Sequence, residues 1–151
     1  MVSLGALLRA HSCLSAPRWA PVISPQRRLT TSALRSGAND PVAYFEQGKP
    51  TLGRPEIEYV WDENRYRFSR PEHRELFKAN PTRYLPQFTN YCTMALARGL
   101  LKEANPEYWL INEGRLFLFS MAEGPSRFRS SPAENVDKAE ANRVLLPATV
   151  R

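Results

Sequence analysis

The chain of 151 residues has few of the side chains that metal sites and disulfide bridges require. It contains two cysteines, Cys13 and Cys92, and two histidines, His11 and His73. If the N-terminal segment is removed on maturation, Cys92 stays as the single cysteine. A disulfide bridge within the mature chain and a zinc site built from cysteines alone are then both excluded. The sequence also lacks a phosphate-binding glycine loop, an HExxH motif and a nucleotide-binding fingerprint.

Acidic residues are absent from positions 1–38, which hold five of the 21 lysines and arginines. The remainder of the chain therefore carries 16 basic residues against all 15 acidic ones and is almost neutral. A nucleic-acid-binding domain needs a basic stripe in its folded part, and no such stripe is visible after residue 38. Five of the six net positive charges belong to the N-terminal segment, so the net charge does not indicate a nucleic-acid partner.

Residues 1–38 are predicted to be a disordered targeting leader. An arginine-rich segment that contains serine and threonine but no acidic residue is typical of a mitochondrial transit peptide. The leucines within residues 2–14 share one face at helical spacing, as in an amphipathic import helix. We expect recognition by the import machinery, cleavage after Arg27-Arg28 with a trim to Gly37, and a location in the mitochondrial matrix. An ordinary disordered tail is the alternative.

Long apolar runs are missing from the whole chain. A transmembrane helix needs about 18 or more consecutive apolar residues, so no transmembrane segment is predicted. A secretory signal carries its positive charge ahead of the apolar run. Here the apolar run Val2–Leu8 comes before the first arginine, which argues against a secretory signal.

The rest of the chain predicts a small single α+β domain over residues 39–147, followed by a tail at 148–151. Two stretches rich in β-branched and aromatic residues indicate antiparallel hairpins, each with a turn between its strands. The predicted strand pairs are 57–61 with 65–68 and 107–112 with 115–120. Apolar residues on both faces of the last strand predict an interior position in a sheet.

Three helices are predicted to pack with these hairpins. Ser69 and Ser131 each stand before a proline and three residues ahead of a glutamate, which is the pattern of a capping box. Asn90 is the predicted cap of the middle helix, and residues 123–131 are predicted to form a flexible loop. The predicted helices are 70–79, 91–102 and 132–145.

Apolar spacing predicts which side of each helix faces the core. The first helix is expected to bury Leu76 and Phe77. The other predicted core residues on the helices are Cys92, Ala95, Leu96, Leu100, Val136, Ala139 and Val144. Gly99 is interpreted as a weak point within the middle helix, since glycine costs about 1 kcal/mol relative to alanine there.

A series of ordered islands carries a resemblance to a known family. The islands are Asp40–Phe45, Gly48–Pro50, Tyr66–Ser69, Phe77–Tyr84, Pro86-Gln87, Tyr91-Cys92, Trp109–Leu116 and Lys138–Asn142. In this order and spacing the sequence resembles bacterial-type YHS-domain proteins, which begin with the same DPVAYF segment. The resemblance covers residues 39–145.

The resemblance implies a non-enzymatic module that binds a transition metal or a small ligand. Metal-binding relatives often carry cysteine at the positions of Ala43, Ser69 and His73, and thiolate is a ligand that zinc and cuprous copper favour. Copper, zinc or iron would therefore depend on Cys92 and His73, the candidate metal ligands in this chain. The soft thioethers after the leader are those of Met94 and Met121.

Tyrosines supply a second candidate site. Hydroxyl groups at the rim of an apolar pocket can anchor a small molecule. The candidate pocket residues are Tyr44, Tyr66, Tyr84, Gln87 and Tyr91. The tyrosines and tryptophans are interpreted as mostly core material, because a small α+β domain needs their bulk, and the pocket is the alternative for some of them.

Two further functions stay open at the level of sequence. A thiol-dependent redox enzyme would use Cys92, whose thiolate a helix N-terminus favours, although a free cysteine is often a small buried apolar residue. A protein-interaction or assembly module would need neither metal nor catalysis. His73 is also open, since an exposed position in the first turn of a helix is the simpler interpretation. No catalytic residue, partner protein or oligomeric state is predicted.

Overall fold

The computed structural model describes residues 39–62 and 64–146, and it confirms the α+β class. The predicted leader, the tail and residue 147 lie outside the described residues. The helices are α1 (Ala43–Glu46), α2 (Pro71–Ala79), α3 (Pro81–Tyr84), α4 (Thr93–Leu96), α5 (Gly124–Arg129), α6 (Pro132–Ala141) and a 3-10 helix (Arg143–Leu145). The strands are β1 (Arg54–Trp61), β2 (Asn64–Phe68), β3 (Asn105–Asn112) and β4 (Arg115–Phe119).

Both predicted hairpins are confirmed as separate two-stranded antiparallel sheets. Tyr59 stands opposite Tyr66 in the first sheet, and Leu110 stands opposite Phe117 in the second. The β3–β4 turn has a positive φ at two successive positions, 51° at residue 113 and 72° at Gly114. This turn geometry matches the right-handed twist of the flanking strands and favours glycine. Local turn chemistry is therefore what makes this hairpin predictable.

Strand β4 is buried on both faces, as predicted, but it is not an interior strand. Its free edge meets the chain at one isolated bridge, where Pro86 stands beside Leu116 and the N–H of Gln87 donates to the Leu116 carbonyl at 2.9 Å. No third strand pairs with this edge in the described residues. The two faces are buried by helices and loops. The prediction of an interior strand was wrong because burial of both faces does not require strands on both edges.

The core consists of three clusters, two of which share strand β4. The first cluster contains Phe88, Cys92, Leu96, Phe117, Phe119, Phe128, Val136, Ala139 and Leu146. The second cluster contains Val42, Phe68, Phe77 and Tyr84. The third cluster contains Tyr44, Leu116 and Leu118. Side chains alternate across a strand, so β4 sends Phe117 and Phe119 to the first cluster and Leu116 and Leu118 to the third.

The predicted helix at 91–102 is the largest error. Only α4 forms there, and it begins after Cys92 rather than after Asn90. The N–H of Gly99 donates to the Leu96 carbonyl, and Gly99 has a φ of +75°, a conformation that ends the helix. Leu100 is 61% exposed instead of facing the core. Gly99 is therefore a helix terminator, not a weak point inside a helix.

Neither predicted capping box forms. Helix α2 begins after Arg70, and the Ser69 hydroxyl donates to the Asp40 carboxylate at 2.7 Å instead of capping the helix. Helix α6 does begin after Ser131, but no cap hydrogen bond comes from that side chain. The predicted helix at 132–145 is divided at Asn142, whose side-chain amide donates to the Leu96 carbonyl at 2.9 Å. At Ser69 and Asn142, hydrogen bonds to distant residues therefore take the place of the local helix contacts that the sequence predicts.

Three smaller expectations were also wrong. Leu76 and Val144 are 41% and 68% exposed, whereas Phe77 is fully buried as predicted. The segment 123–131 is not a loop, because α5 forms within it and buries Phe128 completely. Its single large apolar residue gave too weak a helical pattern to be recognised.

Gly124 is where α5 lies closest to β4, and its substitution tests this packing. A Cβ atom at this position would lie 2.4 Å from the Cβ of Phe119. We expect Gly124→Ala to lower the free energy of unfolding by about 1–3 kcal/mol through overpacking. Urea denaturation measures this change, with Ser126→Ala at an exposed position of the same helix as the control. Equal midpoints for the two variants would contradict the packing described here.

Candidate functional site

A buried carboxylate joins three segments of the chain. Asp40 is fully buried, and its Oδ2 accepts from His73 Nδ1 at 2.6 Å, from the Ser69 hydroxyl at 2.7 Å and from the Ser69 N–H at 2.8 Å. Its Oδ1 accepts from the N–H groups of Val42 and Ala43 at 3.0 and 3.3 Å. A buried charge is tolerated only when it is hydrogen-bonded in this way. We call this arrangement the Asp40 network.

The Asp40 network corrects the expectation that His73 is exposed. His73 is 6% exposed, because α2 directs its imidazole toward the Asp40 carboxylate. A carboxylate oxygen accepts, so the hydrogen between the two side chains belongs to Nδ1. This pairing fixes the orientation of the ring. It resembles the outer-shell carboxylate that orients a metal-bound histidine, but it also explains His73 as a structural residue.

Cys92 lies in a different part of the fold, at the edge of the first core cluster. Its side chain is buried, and its N–H donates to the Lys102 carbonyl at 2.8 Å. The carbonyl of Cys92 accepts from the N–H of Leu96, which closes the single turn of α4. Thr93 then anchors α4 to β4 through a hydrogen bond from its hydroxyl to the Leu118 carbonyl at 3.2 Å. The thiol is therefore held on a short helix that β4 positions.

A cleft of about 180 Å³ opens beside this thiol, between α4 and the start of α5. We call it the Cys92 cleft. It is lined by Cys92, Met94, Ala95, Arg98, Leu100, Lys102, Ser120, Met121, Glu123, Gly124 and Arg127. The sequence indicates the three sulfur-containing residues among them as candidate ligands but does not indicate that they share a cleft. Met121 is distant in sequence from the other two, so only tertiary packing brings the sulfur atoms to one site.

The two predicted metal ligands have different neighbours. His73 is paired with Asp40, and Cys92 packs among the residues of the first cluster. Within the described part of the chain, no three side chains of the His, Cys, Asp and Glu types are arranged to hold a metal ion. The combination of Cys92 with His73 as a metal site stays a prediction from the resemblance, without support from their positions.

The candidate pocket of tyrosines is dispersed over all three clusters. Tyr44 belongs to the third cluster and Tyr84 to the second, whereas Tyr66 packs against the second and Tyr91 against the first. Gln87 makes its hydrogen bonds through the backbone, including one from Arg143 to its carbonyl at 3.0 Å. None of these five residues lines the Cys92 cleft. The interpretation of the tyrosines as core material describes them better.

Comparison of the chain with protein-family models, curated proteins and solved structures gives no match. The resemblance to YHS-domain proteins therefore stays a prediction that rests on the sequence islands. In residues 39–62 and 64–146, no helix is long and apolar enough to cross a membrane.

The Asp40 network predicts a large effect of a small substitution. All of the partners of Asp40 are donors, so the amide of Asp40→Asn offers one acceptor and places its NH₂ group against other N–H groups. We expect the free energy of unfolding to fall by about 3 kcal/mol. Urea denaturation checks this value, with exposed Asp137→Asn as the matched control. A change as small as that of the control would show that the network contributes little to stability.

Tyr66 predicts a loss of stability at alkaline pH. Burial, with the nearby Asp62 carboxylate, raises the pKa of Tyr66 to about 12. An unfolded tyrosine releases its proton near pH 10. The stability that depends on the protonated Tyr66 is therefore complete below pH 10. The free energy of unfolding falls by up to about 3 kcal/mol as the pH rises from 10 to 12. We expect Tyr66→Phe to lose less stability between pH 9 and pH 11.5 than the unmodified chain. Urea unfolding at the two pH values measures these losses of unfolding free energy. Equal losses in both proteins would show that ionisation of Tyr66 does not cause the alkaline destabilisation.

Proposed function

We propose that the chain is a non-enzymatic ligand-binding module of the YHS type that works in the mitochondrial matrix. The sequence islands support the family, and the arginine-rich, acid-free composition of residues 1–38 supports the location. The observation that carries the binding role is the Cys92 cleft. Apolar clefts with a few polar groups are the usual sites for small ligands.

The walls of the Cys92 cleft support binding of a small molecule. Met94 and Ala95 are half-buried and stand beside the buried thiol on one wall, and exposed Met121 stands on the other. Methionine side chains are flexible and polarizable, so they adapt to ligands of different shape. The wall that contains Met94 and Ala95 is held in place, because the Thr93 hydroxyl fixes α4 to β4.

The metal form of this function has its best support in the same cleft. Thiolate and thioether ligands select cuprous copper over harder ions, and the cleft is lined by one cysteine and two methionines. Binding of copper there would depend on Cys92, whereas binding of an organic molecule would not require its thiol. Cys92→Ser therefore separates the two forms of the proposal.

A panel of probes tests the function with the full-length chain. The panel contains hexan-1-ol, hexanoate, hexylamine and cuprous copper, and amide NMR spectra report where each one binds. We expect at least one probe to shift the signals of Cys92, Met94 and Met121. Ala95→Leu should abolish these shifts by filling the cleft, whereas Ala133→Leu on the exposed side of α6 should preserve them.

Two results would argue against the proposed function. Shifts that survive Ala95→Leu would mean that the probes bind elsewhere. An absence of shifts at the cleft with every probe would favour the assembly-module interpretation instead. If Cys92 is a redox catalyst, the thiol must react rapidly with iodoacetamide in the folded chain, in a Cys13→Ser background. A thiol that is 3% exposed should react slowly until the chain unfolds.

A further inference from the structure

We infer that the ligand of the Cys92 cleft is a small organic anion, with a short apolar body and a carboxylate or phosphate group. This inference rests on the proposed function and narrows it to one chemical class. Its basis is the charge at the mouth of the cleft combined with the apolar character of its interior.

Three cationic side chains surround the mouth of the cleft. Arg98, Lys102 and Arg127 all line it and are all exposed. None of the three takes part in an ion pair with any residue that the structure describes. Glu123 is the single carboxylate among the lining residues, so the mouth carries a local excess of positive charge. The folded part of the chain is almost neutral by sequence, so this concentration is a local property of the fold.

The chemistry of these cations favours an anionic group on the ligand. A guanidinium group binds carboxylate or phosphate through two parallel N–H donors, and an ammonium group adds a point charge. The same charges oppose a cationic ligand by Coulomb repulsion, so they favour the organic form of the proposed function over the form that binds cuprous copper. Arg98 and Lys102 follow α4 in the chain and Arg127 lies on α5, so both walls of the cleft contribute positive charge.

The size and lining of the interior limit the apolar body. Leu100, Ala95 and the two methionines present carbon and sulfur atoms to the cleft. The cleft measures about 180 Å³, and an apolar cavity of about 150 Å³ in another protein holds one benzene molecule. A body of roughly six to eight carbon atoms therefore fits.

Calorimetric titration of the full-length chain with matched six-carbon probes tests the inference. We expect hexanoate and hexyl phosphate to bind at least tenfold more tightly than hexan-1-ol, and hexylamine to bind most weakly. Comparison of the first two probes distinguishes a carboxylate ligand from a phosphate ligand. Inorganic phosphate should bind far more weakly than either, because it leaves the apolar interior empty.

A variant without the three cationic side chains tests whether they cause the preference for anionic probes. Arg98→Gln, Lys102→Gln and Arg127→Gln combined should weaken hexanoate binding at least tenfold and leave hexan-1-ol binding unchanged. Arg129→Gln is the matched control, because Arg129 is exposed on the same helix as Arg127 but does not line the cleft. All of these positions are exposed, so the variants should keep the unfolding midpoint of the unmodified chain.

The possible outcomes separate this inference from the proposed function. Hexan-1-ol or hexylamine binding as tightly as hexanoate would overturn the anionic class and keep the ligand-binding role. If inorganic phosphate binds as tightly as hexanoate, the inference that the ligand has an apolar body is wrong. Failure of every probe here, together with failure of cuprous copper to bind at the cleft, would overturn both proposals. Equal losses in the triple variant and in Arg129→Gln would reject the cleft as the site of the anion.

Discussion

The buried carboxylate of Asp40 is the interaction on which half of the fold depends. It accepts hydrogen bonds from the start of α1, from the end of β2 and from α2, at distances between 2.6 and 3.3 Å. These three segments also supply the second core cluster. A buried charge without partners costs several kcal/mol, so the segments are stable only when all of them are in place. The network therefore ties the start of α1 and the first turn of α2 to the residue that follows β2.

Phe45 packs against both the second and the third cluster, and strand β4 supplies the third, so β4 connects these segments to the cleft. Its alternating side chains supply both the first and the third cluster, and its Leu118 carbonyl accepts from the Thr93 hydroxyl that fixes α4. Its last residue, Phe119, is where α5 packs, at Gly124. The two walls of the Cys92 cleft are therefore both held by one strand. An apolar interior and a cationic mouth arise where these walls meet.

Predictions from the sequence succeeded where structure is decided locally. The hairpins were found because turn residues and β-forming residues stand next to one another. The helices were less predictable, because their ends depend on distant partners. Ser69 has the pattern of a helix cap, yet Asp40 takes its hydroxyl. The middle helix ends early because Gly99 adopts a positive φ, which a helical apolar pattern does not reveal.

The sequence by itself determined the α+β class, both hairpins, the near-neutral folded region and the single cysteine beyond residue 38. Tertiary structure alone decided that His73 pairs with Asp40 and that Cys92 shares a cleft with Met94 and Met121. The reason is physical. Turns and alternation act between neighbours in the chain, whereas a buried network or a cleft joins residues that only long-range packing brings together.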